Sequence, residues 1–176
     1  MCGKLIQLLR CASACLIVMS LVAHAAHDDD GMTYFMSISP NGPGSSALLA
    51  SNYVKGVAIA RSLRKDSNWT AAAELNLCVS YTMLNDFARA RLSCQRAVNA
   101  ALANKQQVEG QIGDLISDDL AKAYSNRGVL RAMSDDFVGA RQDFEKAGRL
   151  DRSSKFYSAN LRLLQEQLLA NSVAEQ

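Results

Sequence analysis

Residues 121–152 read AKAYSNRGVLRAMSDDFVGARQDFEKAGRLDR, and a shift of 50 positions lays them over residues 71–102. Asn76 then falls on Asn126, Val79 on Val129, Met83 on Met133 and Asp86 on Asp136. Further along, Phe87 falls on Phe137, Ala90 on Ala140, Arg91 on Arg141 and Ala97 on Ala147. Only two prolines occur, Pro40 and Pro43, so residues 44–176 lack the side chain that most strongly breaks helices. Together these features predict an all-α body containing a duplicated unit.

Within the quoted stretch, Tyr124, Gly128, Ala140, Phe144 and Ala147 stand at the spacings of a tetratricopeptide repeat, a family this chain resembles. Arg127 stands where Leu is usual, Arg131 where Tyr is usual and Arg152 where a closing Pro is usual. The earlier copy supplies Leu77 and Tyr81 at family positions, with Cys78 at the Gly site and Cys94 at the Phe site. The resemblance implies antiparallel helical hairpins stacked as a short right-handed solenoid. In such arrays neighbouring repeats bury one another's apolar faces, and small residues let the paired helices approach.

Laid along the chain, this gives repeats at about 71–104 and 121–154, separated by an insertion at 105–120 that carries Gly110 and Gly113. The insertion is expected to lengthen the preceding helix, break at the glycines and restart at a cap on Ser117 or Asp118. The domain spans 47–170. Leu48, Leu49, Tyr53, Val57, Ile59 and Ala60 mark an N-terminal helix, whereas Tyr157, Leu161, Leu164 and Leu168 mark a capping helix at 155–170 with one apolar stripe. Residues 171–176 are expected to fray, and residues 26–46, acidic at first and then rich in Pro, Gly and Ser, to form a flexible leader.

Residues 1–25 have the form of a signal peptide: Lys4 and Arg10, an apolar run from Cys11 to Val22, and Ala23-His24-Ala25 before a cut after Ala25. A periplasmic or secreted location follows, the alternative being a signal anchor in the inner membrane. A lipoprotein signal ending at Cys15 fits poorly, because most of the apolar run follows that cysteine. The full chain has 19 basic and 17 acidic residues, so losing Lys4 and Arg10 leaves it formally neutral, with no electrostatic case for nucleic acid and no reason to expect membrane binding after cleavage.

Cys78 and Cys94 would be the two cysteines left after cleavage, and they lie eight residues on either side of Asp86 at the hairpin turn. They are expected to face each other and form a disulfide in an oxidising compartment; two buried free thiols are the alternative.

No catalytic constellation is visible. His27 would be the sole histidine after cleavage, and with Asp28, Asp29 and Asp30 it reads as a solvated terminus, so neither a metal nor a cofactor is expected. Asp118/Asp119 and Asp135/Asp136 read as helix-start carboxylates, and Asn68-Trp69-Thr70 as a chance glycosylation pattern. The resemblance implies a non-catalytic module binding a protein or peptide in a concave groove. Carried onto this chain, the groove is lined by Asn76, Val79, Met83, Lys122, Asn126, Val129 and Met133. The asparagines could bond an extended peptide backbone, or could instead bond between helices. An accessory subunit of an envelope enzyme and a self-associating structural module are the alternatives.

Overall fold

The computed structural model describes residues 24–27, 33–66, 69–107 and 113–174. Residues 1–23 of the expected signal segment 1–25, Asp28–Asp30, Asn68, Gly110 and the last two residues lie outside the described residues, whereas His24 and Ala25 are described in a strand. Among the described residues, seven helices follow two short strands: β1 (His24–His27), β2 (Thr33–Met36), α1 (Ser45–Leu49), α2 (Tyr53–Leu63), α3 (Thr70–Met83), α4 (Phe87–Gln107), α5 (Gly113–Ala132), α6 (Phe137–Leu150) and α7 (Lys155–Ala174). Helices adjacent in sequence pack as hairpins, and each hairpin packs on the next. The helical body is the stacked array expected from the repeat, with one antiparallel β1–β2 ribbon added to it.

The hairpin turns are built alike. Ser51, Asn85 and Asp135 have positive φ, at 54°, 56° and 59°, and each precedes a residue whose side chain caps the next helix. Asn52 Oδ1 accepts from the Lys55 N–H, Asp86 Oδ1 from the Arg89 N–H and Asp136 Oδ1 from the Gly139 N–H. Asn85 and Asp135 are of the types that tolerate this left-handed turn better than most residues, and the Asn or Asp that follows each turn residue satisfies an orphan N–H group of the new helix. Asn52 lies 34 positions before Asp86. The α1/α2 pair is therefore a further hairpin of the same design, with its first helix cut to five residues.

Within each hairpin the close approach is made differently. In the later copy a Cβ on Gly128 would lie 2.7 Å from Cε1 of the buried Phe144 ring, so only glycine fits there. In the earlier copy Cys78 and Cys94 occupy the equivalent sites and form a disulfide, with Cα atoms 4.7 Å apart. A covalent bond replaces the glycine–phenylalanine contact.

Two differences concern the insertion and the tail. The restart is at Gly113, so Ser117 and Asp118 sit inside α5 and not at a cap; Asp118 and Asp119 are correspondingly mid-helix, and Asp118 pairs with Lys122 one turn on. Helix α7 continues to Ala174, four residues into the segment expected to fray.

Candidate functional site

Residues 33–39, placed by composition in a flexible leader, are an extended segment lodged against the first helices of the hairpins. Burial alternates along it: Tyr34, Met36 and Ile38 are buried in the same core cluster as Val79 and Val129, while Phe35 and Ser37 are half-buried. The period of two is that of a strand with one face inward. Composition misled because the buried apolar positions are only three, none adjacent to another, and the partner surface that orders them is supplied by helices far along the chain.

Three asparagines hold this segment by its main chain. Asn160 on α7 accepts from the Phe35 N–H and donates to the Phe35 carbonyl, both at 2.8 Å. Asn126 on α5 does the same to Ser37, at 2.8 and 2.7 Å. Asn76 on α3 does the same to Ser39, at 2.9 and 3.2 Å, and donates also to the Pro43 carbonyl at 3.0 Å. All three side chains are fully buried. A carboxamide carries one acceptor and one donating group side by side, which matches the N–H and C=O that one residue of an extended chain presents on a single edge. Because that edge repeats every second residue, one asparagine on each of α3, α5 and α7 advances the contact by two residues per step. Tyr34 and Met36 turn their main-chain groups to the opposite edge, where β1 pairs antiparallel with His24 opposite Met36 and His27 opposite Thr33.

Side chains fix the register at one end of the segment. The Tyr34 hydroxyl donates to Gln167 Oε1 at 2.5 Å, and its ring stacks on Phe144 with centroids 6.1 Å apart. Phe35 meets Phe156 on α7 at 5.9 Å. At the other end Gly42 lies so close to α3 that a Cβ there would sit 2.9 Å from Asn76 Nδ2.

Of the residues expected to line a groove, Asn76 and Asn126 meet the leader's main chain and do not bond between helices. Val79 and Val129 lie beneath it with no exposed surface, and Met83 and Met133 are partly buried against the same core. Lys122, one turn before Asn126 on α5, is paired with Asp118 and makes no bond to the leader among the described residues. Asn160 was missed, although it stands 34 positions after Asn126, one repeat length on. Reading 155–170 only as a cap concealed it.

Sequence reasoning also missed a buried charge cluster on α5 and α6. Arg127 grips Asp143 with Nε and Nη2, both at 2.7 Å, Arg131 Nη1 reaches the same carboxylate at 2.9 Å, and Asp143 has no exposed surface. Arg127 Nη1 also donates to Gln95 Oε1 at 2.8 Å. These arginines are two of the three departures from the repeat pattern, Arg152 being the other. Their equivalents in the earlier copy are Leu77 and Tyr81, and Asp143 there becomes Ser93, all three buried. The two arginines and their acid thus replace an uncharged set as a unit.

Among the described residues, no group of His, Cys, Asp or Glu could hold a metal ion, and no helix is long and apolar enough to cross a membrane. The fold is similar to that of the first tetratricopeptide domain of Spaghetti (RPAP3), solved bound to the HSP90 peptide SRMEEVD. The match has a TM-score of 0.56 at 20% identity and covers 72% of this chain and 87% of that one. No protein-family model and no curated protein matches the sequence.

Proposed function

We propose that this chain is a non-catalytic protein- or peptide-binding module, exported to the cell envelope, whose groove takes extended segments by their main chain. One observation carries this reading: three buried asparagines each make paired hydrogen bonds to alternate residues of an extended segment. Such contacts recognise backbone shape whatever the side chains, as a peptide-binding groove requires. Valines and methionines beneath the segment offer an apolar floor, and methionine adapts to differing shapes. Export is supported by the form of residues 1–25 and by the Cys78–Cys94 disulfide, since such bonds persist in oxidising compartments.

The test is affinity capture from envelope extract with the native chain and with the Asn76→Ala/Asn126→Ala double variant, each checked for helical content. Loss of a captured partner with helicity retained supports the groove. An unchanged set of partners would sink it. Fractionation of cells expressing the full chain tests the location independently.

A further inference from the structure

Resting on the groove reading, we propose that residues 33–39 are a built-in occupant of the groove, and that the partner is a segment of the same grammar which binds by displacing it. That grammar can be read from the contacts. Positions equivalent to Phe35, Ser37 and Ser39 must each offer a free N–H to Asn160, Asn126 and Asn76, so proline is excluded at all three. Positions equivalent to Tyr34, Met36 and Ile38 point into the core and must be apolar, the first being an aromatic with a hydroxyl for Gln167. The side chains between them are half-buried at Phe35 and Ser37, so there the choice is freer.

Displacement is required because each asparagine already directs its oxygen and its amide at the leader's main chain. Each asparagine turns its acceptor and a donor to a single residue, so two segments cannot share one ladder. Partner affinity is therefore reduced by the fraction of chains in which the leader is out of the groove, and anything that releases the leader raises it. The leader enters α1 through Pro40–Gly44, where Asn76 also holds the Pro43 carbonyl. The chain can thus leave from the Tyr34 end while staying anchored at the other.

The probe is a capped peptide of residues 33–39, measured by fluorescence anisotropy against the native chain, a Ser37→Pro chain and a Ser37→Pro/Asn126→Ala chain. Ser37→Pro removes the N–H that Asn126 accepts and so weakens the leader. The proposal expects it to bind the probe at least tenfold more tightly than the native chain, with binding lost in the double variant and with a probe that itself carries Ser37→Pro. Equal affinity of native and Ser37→Pro chains would overturn the built-in competition while leaving the groove reading standing. No binding to a folded Ser37→Pro chain would overturn both. A measurement on the unmodified chain decides the matter if Ser37→Pro does not fold: excess unlabelled probe is added to the nitrogen-15 chain. The Phe35 and Ser37 amide resonances should move to those of a released segment. If they stay in place at saturating probe, the proposal fails.

Discussion

Replacing Asn126 by alanine isolates the main-chain clamp from the rest of the leader's packing. The side chain is fully buried and its two bonds to Ser37 are 2.8 and 2.7 Å long, so truncation orphans one N–H and one C=O together. A buried polar group left unpaired costs about 1–3 kcal/mol. Ser37 is half-buried, water reaches part of the vacated space, and the lower end applies to each group, giving about 2–3 kcal/mol in all. Burying Tyr34, Met36 and Ile38 contributes about 1.5–3 kcal/mol each, comparable with the cost of ordering seven residues at about 1–2 kcal/mol apiece. The asparagine bonds therefore decide whether the leader stays docked. Amide hydrogen exchange reads this directly: protection at Phe35, Ser37 and Ser39 should fall about 30- to 150-fold, at tenfold per 1.4 kcal/mol, with α3–α6 unaffected. Unchanged leader protection would refute the clamp, and a parallel fall throughout the body would show that Asn126 supports the helices instead. Asn126→Asp adds a pH arm. A protonated carboxyl can both donate and accept in the asparagine's place, whereas a carboxylate on this fully buried side chain faces the Ser37 carbonyl, and both effects raise its folded-state pKa. The penalty should be absent below the unfolded value of about 3.9 and grow as pH rises through the folded one.

Three further outcomes are expected. Substituting both Cys78 and Cys94 by serine opens a loop of sequence separation 16 and should lower unfolding free energy in denaturant by about 3 kcal/mol; intact mass after alkylation without reduction should show no adduct on the native pair. Asp143→Ala strands Arg127 beside a buried void and should cost about 3–5 kcal/mol, while Arg127→Leu/Arg131→Tyr/Asp143→Ser, the set present in the earlier copy, should recover most of it in the same denaturant assay; a triple variant as unstable as the single one would show that the copies are not interchangeable. Burial holds the Asp119 carboxyl above the usual range, with Lys122 opposing and Asp118 adding to the shift. The native chain then loses stability as pH rises from about 3.9 through the folded pKa, so Asp119→Asn should raise the melting temperature at pH 7 and lose that advantage below pH 4.

The helical hairpins were legible because their determinants are local or repeat at a fixed interval: small residues at Ala90, Ala140 and Gly128, turn acids at Asp86 and Asp136, and apolar positions between them. The disulfide was legible for the same reason, since two positions equidistant from a turn share a rung. What could not be read was the leader's place. The bond partners Phe35 and Asn160 are separated by 125 residues, and nothing in Thr33–Ser39 by itself distinguishes a docked strand from a short apolar patch in a linker. Likewise Arg127, Arg131 and Asp143 looked like isolated departures from a pattern, because their compensation is visible only once α5 and α6 face each other. The α1/α2 hairpin was hidden by its shortened first helix, although Asn52 stands one repeat length before Asp86.

The asparagine spacing behaves as a ruler whose marks are independent of the chain that carries it. From Asn76 to Asn126 is 50 residues and from Asn126 to Asn160 is 34, yet each step moves two residues along the bound segment. The extra length is taken up where α4 and α5 run on to 21 and 20 residues, at the ends remote from the Asp86 and Asp136 turns. The added residues there leave unaltered which residue meets which asparagine. An added hairpin with the same asparagine would lengthen the reading frame by one further pair of residues.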